Sequence, residues 1–256
     1  SLSTFTMELK ARHNILLDHR IARAKNYPYT IPGSSYIFHD GHPLKFLSAL
    51  DLADLRGRKP VLAIGSNQSP DQLAQKFTTR DWGPIPAIRA KVYGYDSVYS
   101  PHITSYGSIP ATFQEMSGVA TYLFVTWLDN DQMMRMHETE LADSNYTFGI
   151  VFDLNAEMEL GPAIKEAYVY ISNHGHLCDA SQPIPLSEIN AIRRRHPGRS
   201  QLEIQQFVRN FLEPQMEINE FIRTSIHSHE IRSRRSFQLK TSGQSIQLKS
   251  FDKISI

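Results

Sequence analysis

Val61-Leu62-Ala63-Ile64-Gly65-Ser66-Asn67 runs straight into Gln68-Ser69-Pro70-Asp71-Gln72-Leu73. An apolar run bounded by a small, polar turn reads as a buried strand. Ser69 stands as an N-cap with Pro70 at the first helical position, so a helix follows at once. A strand ending in Gly-Ser-Asn exposes backbone N–H groups at a tight bend, which makes a cradle for a small anionic group. Strand, turn and helix with these residues arise in many α/β proteins, so a function needs a second element.

That element is Trp127-Leu128-Asp129-Asn130-Asp131-Gln132-Met133-Met134-Arg135-Met136-His137-Glu138-Thr139-Glu140-Leu141. It reads as a strand end, an Asp/Asn-rich helix start and an amphipathic helix. With Met136 as origin, Met133 falls about 60° away, Glu140 about 40° and Glu138 about 200°. Glu140 therefore points with the methionines and Glu138 points to water. No Lys or Arg stands three or four positions from Glu140, whereas His137 does and offers a partner. A carboxylate on an apolar face is costly unless satisfied, and desolvation shifts such a group toward the range of a general base. The alternative is a frayed last turn that leaves Glu140 in water.

Together the two elements resemble the gamma-glutamylcyclotransferase-like family. Its Tyr-Gly-Ser-Asn loop, which holds the gamma-glutamyl part of the substrate, corresponds to Ile64-Gly65-Ser66-Asn67, and its acidic pair before a loop corresponds to Glu138-Thr139-Glu140, with Tyr146 opening the next strand. Ser108-Ile109-Pro110-Ala111-Thr112-Phe113 resembles the family's Pro-Ala-Thr segment, and Gly118 to Phe124 its strand before the helix. The resemblance spans roughly residues 60 to 172. It implies Glu140 as the catalytic carboxylate, a substrate-binding set of Ile64, Gly65, Ser66, Asn67 and Tyr146, no metal and no cofactor. It also implies an α+β fold, a small mixed β-barrel with flanking helices. Two departures stand out: Ile64 replaces the family's Tyr and removes a hydroxyl from the pocket, and Leu141 replaces the Gly that follows the catalytic Glu.

The 256 residues, 41% hydrophobic and 21% charged with a net charge of +1, suffice for a packed core. One cysteine, Cys178, excludes an intramolecular disulfide and suits a reducing compartment. No apolar run approaches the ~18 residues of a membrane helix, and the expected location is the cytoplasm. Residues 185–256 carry twelve Lys/Arg against seven Asp/Glu, a balance of +5 that leaves −4 for the first 184. Arg193-Arg194-Arg195, Arg199, Arg232 and Arg234-Arg235 are candidate phosphate contacts, but no zinc spacing, aromatic RNA motif or glycine clamp accompanies them, so solvated helix faces are preferred to a nucleic-acid surface.

The organisation expected is an N-terminal extension over 1–59, a β-rich domain over 60–180 and a helical extension over 181–256. The first holds a helix over 4–25, a strand Tyr36-Ile37-Phe38, a turn at Asp40-Gly41 and a Leu- and Asp-rich segment before Lys59. The second has strands over 87–99, 111–115, 119–127, 146–154 and 166–172. In the third, helices are expected from Ser187 to Pro197, after Ser200, and from Met216 to His227. Phe237 to Lys240 and Ile246 to Lys249 resemble a hairpin around Ser242-Gly243. The role of this region is open among lid, homodimer contact and dock for a carrier.

His39 with His42, His174 and His176 with Cys178, and His227 with His229 are the tight histidine groups, but zinc wants three or four convergent ligands. Ser66 lacks a nucleophile elbow. The reaction the resemblance implies is ring closure of a gamma-glutamyl amide, small or carrier-linked, to 5-oxoproline with release of an amine or amino acid. Three rivals are another amide-cleaving or biosynthetic enzyme on the same fold, a non-catalytic binding module, and a partner-docking or nucleic-acid protein built on the arginines.

Overall fold

In the computed structural model, which describes residues 2–46, 52 and 54–256 and the side chains from residue 6 on, the chain opens with a helix, α1 (Leu2–Lys25). A hairpin, β1 (Tyr36–His39) and β2 (His42–Lys45), turns at Asp40 and Gly41, both with positive φ, as a two-residue hairpin loop requires. Most of the Leu- and Asp-rich segment lies outside the described residues. Then come β3 (Lys59–Ala63), a single 3-10 turn (Ser66–Gln68), α2 (Pro70–Lys76), β4 (Ile85–Tyr99), β5 (Ala111–Leu128) and α3 (Asn130–Glu140). The chain continues through β6 (Tyr146–Val151), β7 (Ala156–Met158), β8 (Ala167–Ser172), a small ribbon of β9 (Cys178–Asp179) and β10 (Gln182–Pro183), and β11 (Ala191–Ile192). It ends in α4 (Gln201–Leu212), α5 (Ile218–His227), α6 (His229–Ser242) and β12 (Phe251–Lys253).

The main sheet has the order β12-β6-β8-β3-β5-β4-β1-β2, with β11 pairing β5 and β7 pairing β4. β3 and β8 are parallel and the other pairs antiparallel. β12 and β2 stand at opposite ends and do not pair, so the sheet is open and the expected barrel is corrected to a mixed α+β sheet. Its strands are apolar on both faces because both faces are covered. Val61, Ala63, Phe124 and Leu128 join one core with Leu73, Phe77, Met133 and Met136 of α2 and α3. Leu62, Ile64, Leu123, Val125 and Trp127 join the other, which takes in Ile204, Val208, Phe221 and Leu239 of α4 to α6.

Three further expectations change. The strands read separately at 111–115 and 119–127 are one, kinked where the register against β4 shifts between Tyr93 and Tyr95. The helix read from Ser187 to Pro197 is absent. Ala191 and Ile192 pair with Thr121 and Ala120 instead, and the Arg194 guanidinium makes two hydrogen bonds, 2.8 and 2.7 Å, to the buried Asp96 carboxylate. Long-range pairing of this kind overrides local helix propensity. The terminal hairpin is also absent: Ser228 caps α6, whose helix runs through Phe237 to Lys240, and β12 adds to the β6 edge.

The C-terminal arginines are used within the fold. Arg235 is fully buried, bonded to Glu213 at 2.7 Å, to the Phe221 carbonyl and to the hydroxyls of Thr224 and Ser225. Arg234 pairs with Glu213, and Arg232 donates to the Ser225 carbonyl.

Helix α4 is tied to the loop between β4 and β5. The Gln201 side chain accepts from Ile109 N–H at 2.7 Å and donates to its carbonyl at 3.0 Å, and Gln205 donates to the carbonyls of Gly107 and Ala24. Deleting residues 185–256 would strip these partners and leave Asp96 buried without its arginine, a loss that destabilises strongly. The truncated chain is expected to lose its cooperative thermal transition and near-UV circular dichroism. A sharp transition in the 1–184 chain would show that the sheet stands alone.

Candidate functional site

β3 leaves the sheet at Ala63, and the following bend is held from inside. The Ile64 carbonyl accepts from Ser97 Oγ at 2.8 Å and from Gln68 Nε2 at 3.1 Å, while Ser69 N–H closes the 3-10 turn on the Ser66 carbonyl. Ser69 Oγ then caps α2 at Asp71 N–H, with Pro70 at the first position, as the sequence predicts. At Gly65 a Cβ would stand 2.2 Å from the Tyr27 hydroxyl and 3.0 Å from the Ala111 Cβ, so close approach of Tyr27 demands glycine there.

α3 begins at Asp129 with a capping box to Gln132 and delivers Glu140 at its last residue. Met133 and Met136 are buried, and Glu140 turns inward with them. Glu138 lies on the solvent side, paired with Arg135 at 2.9 Å. The Asn67 amide donates from Nδ2 to Glu140 Oε1 at 2.9 Å, which brings the loop and the acid together. Lys76, on the last turn of α2, forms an ion pair with Glu140. The Lys76 and Glu140 side chains are only 8% and 17% exposed. His137 does not serve as the partner; its Nδ1 bonds the Tyr170 hydroxyl at 2.8 Å.

Around these groups is a cavity of about 400 Å³. All five loop and strand residues expected at the site line it: Ile64, Gly65, Ser66, Asn67 and Tyr146. Lys76, Tyr27, Tyr106, Tyr170, His102 and Arg23 line it too, and these the sequence reading missed. Lys76 had a local signal, since Leu73, Lys76 and Phe77 share one helical stripe. The others come from distant segments and had none.

The four tyrosines ring the carboxylate. Burial pushes the phenols of Tyr27, Tyr106, Tyr146 and Tyr170 above their ordinary range, and the nearby Glu140 charge adds to it in each case. They are therefore neutral hydrogen-bonding groups. Tyr146 donates to the Ala111 carbonyl at 3.0 Å, so its proton is committed. Tyr27 Oη instead accepts from Ala111 N–H at 2.9 Å, which leaves its own proton for the cavity. Asn67 Oδ1 is buried and has no partner among the described residues.

His102 is held through two serines. His174 N–H donates to Ser172 Oγ at 3.0 Å, Ser172 Oγ lies 2.7 Å from Ser100 Oγ, and Ser100 Oγ lies 2.7 Å from His102 Nδ1. These contacts tie the ring through Nδ1 to the buried serine pair. Burial, with His174 and Lys240 nearby, holds His102 well below the usual imidazole range. Burial and Lys240 hold His174 down to about 4. Among the described residues, no three or more His, Cys, Asp or Glu side chains gather as a metal-binding group.

No protein-family model matches the sequence, and no curated protein matches it. A search of solved structures does return matches. The chain is similar to a gamma-glutamyl cyclotransferase. The identity is 13%, the TM-score 0.37, and the match covers 70% of this chain and 99% of that one. A second similar structure is YkqA from Bacillus subtilis, at 16% identity and a TM-score of 0.34, covering 69% of this chain and 57% of that one. Among the described residues no helix is long and apolar enough to cross a membrane.

Two outcomes test this geometry. Gly65→Ala is expected to cost about 1–3 kcal/mol of stability through overpacking, and clearly less in a Tyr27→Phe background, as read by denaturant unfolding of the four proteins. Equal losses in both backgrounds would contradict the Tyr27 contact. The second outcome concerns pH: because His102 and His174 titrate lower folded than unfolded, the unfolded chain binds protons that the folded chain refuses. Stability is then full above about 6.5 and declines as the pH falls toward 4. Melting temperatures between pH 7 and 5 should fall less steeply for His102→Gln than for the unaltered protein.

Proposed function

We propose that the protein cyclises a gamma-glutamyl amide, releasing 5-oxoproline and an amine or amino acid. The observation that carries this reading is the contact of Asn67 Nδ2 with Glu140 Oε1, 2.9 Å, beside the unpartnered Asn67 Oδ1. These oxygens form an acceptor pair suited to a primary ammonium group.

The substrate's α-ammonium would bind between Glu140 and Asn67 Oδ1. Glu140 takes one proton, the freed amine attacks the gamma-carbonyl carbon, and a five-membered ring closes with negative charge on the former carbonyl oxygen. The Tyr27 hydroxyl, which accepts from Ala111 N–H, is a donor available to that oxygen. Collapse breaks the amide C–N bond as Glu140 returns its proton to the leaving nitrogen; Glu140 then takes the second proton from the ring nitrogen, which leaves the lactam with one N–H, and passes it to the departing amine. Lys76 has three protons. One meets Glu140 and one the Met136 sulfur at 3.7 Å, so the third is free for the substrate's α-carboxylate. No co-reactant is consumed, and holding the chain in its ring-closing shape supplies up to ~7–11 kcal/mol of the barrier. Tyr27 also restores a hydroxyl to the pocket region that Ile64 leaves apolar.

Glu140→Gln keeps the shape and removes the base. Release of 5-oxoproline from gamma-glutamyl compounds, followed by mass spectrometry, should fall by roughly 10²–10⁴-fold. Glu138→Gln, on the solvent side, should be nearly silent. Full activity in the Glu140→Gln protein would overturn the assignment.

A further inference from the structure

A second concave site lies on the other side of His174 from the cavity that holds Glu140. It is a groove of about 560 Å³ between β6, the end of β8 and the chain that leaves α6, and its walls include Thr147, Ile171, His174, Lys240, Ile246 and Phe251. It shares no lining residue with the Glu140 cavity. The two adjoin at His174, whose Nε2 lies 2.8 Å from Oδ1 of Asn145 in the cavity wall and whose ring centre lies 5.3 Å from that of His102. The outer wall is fixed by the backbone. Gln244 and His176 exchange hydrogen bonds of 3.0 and 2.8 Å, Gln247 N–H donates to Gln114 Oε1 at 3.1 Å, and β12 pairs with β6. At Gly175, where φ is +81°, a Cβ would overlap the Gln244 carbonyl, so this wall closes only on glycine.

Lys240 brings the groove its charge, and among the described residues no Asp or Glu lines it. The partly buried ammonium forms no ion pair and no hydrogen bond with the described residues. A lysine in the last turn of a helix can fold back onto the terminal carbonyls. At the end of α6 those of Gln238, Leu239 and Lys240 are already taken by Thr241 Oγ1, Ser242 Oγ and Gly243 N–H. His174 adds no charge near neutral pH, since burial and the Lys240 ammonium hold it down to about 4. The rest of the groove is apolar: Ile246, Leu248 and Phe251 pack on the core yet keep part of their surface open.

From this charge complementarity we propose that the groove binds a carboxylate with an apolar tail, a medium-chain carboxylic acid, with its head on Lys240 and its tail along Ile246, Leu248 and Phe251. A single ammonium balances a single negative charge, an amine would meet a like charge, and the apolar walls reward only a hydrocarbon tail. The span fits the class. Lys240 stands beside His174, while the Phe251 ring lies over Gly149, which faces Val169 of β8, five residues before His174. At ~3.3 Å per residue the two ends are on the order of 16 Å apart, so a tail of several carbons has surface to cover and acetate has little. The proposal stands apart from the cyclisation reading, since it needs neither Glu140 nor turnover.

The test is calorimetry of the full chain at neutral pH with octanoate, butanoate and octylammonium, together with magnetic resonance spectra of isotopically labelled histidine. One octanoate per chain is expected, held about 10-fold or more tighter than butanoate, whose tail is shorter. Octylammonium should not compete. Lys240→Gln should weaken octanoate by about 10- to 100-fold, and Lys240→Arg should keep most of the binding, with near-UV circular dichroism unchanged in both. The His174 ring signals should move as octanoate saturates the unaltered protein, and should move less in Lys240→Gln at the same concentration. Octanoate binding untouched by Lys240→Gln, equal binding of octylammonium, binding that leaves His174 unmoved, or no binding of octanoate overturns the proposal. None of these readings involves 5-oxoproline, so the cyclisation reading stands or falls separately.

Discussion

The ion pair between Lys76 and Glu140 is the constraint to which the functional half of the molecule conforms. Two opposite charges, each largely removed from water, are carried on the ends of different helices, and each offsets part of the other's desolvation. To bring them together, α2 and α3 must pack on one face of the sheet through Leu73, Phe77, Met133 and Met136. That packing sets Asn67, at the start of the same connection, against Glu140. The pair sets an acidic and a basic side chain together in the cavity, and the proposed function rests on that arrangement.

The second contribution comes from the last turn of α1 and the segment that follows it. Tyr27 places a hydroxyl against Gly65 and Ala111, and Arg23 places a cation at the cavity mouth. α1 itself packs against α4 and α5, and Gln205 of α4 bonds the Ala24 carbonyl just before Tyr27. The N-terminal and C-terminal helices therefore act on the site indirectly, by fixing a short segment that reaches it.

What was legible in the sequence was local. Ser69-Pro70 and Asp129 with Gln132 are caps whose signals lie within four residues, and both helices start where those signals put them. The period of α3 separates Glu140 from Glu138 for the same reason. What depended on distant partners was not legible. Ser187 to His196 has helix-forming residues, yet its backbone answers to β5 and its Arg194 to Asp96. The barrel was implied by the resemblance, and closure depends on whether the first and last strands meet, which no local pattern of apolar residues records; here the sheet is open and covered on both sides. Tyr27, Arg23 and His102 reach the cavity from segments far from Glu140 in sequence, and nothing in their neighbours marks them. The cation facing Glu140 lay on another helix, outside the three- and four-residue spacing at which a partner was sought.

The most direct measurement of the central claim is a crystal structure of the Glu140→Gln protein with gamma-glutamyl-alanine bound. The account predicts the ligand's α-nitrogen within about 3.2 Å of Asn67 Oδ1 and of the side chain at position 140, with the gamma-carbonyl oxygen toward the Tyr27 hydroxyl. A ligand lodged outside this cavity, or one whose α-nitrogen turns away from position 140, would contradict it.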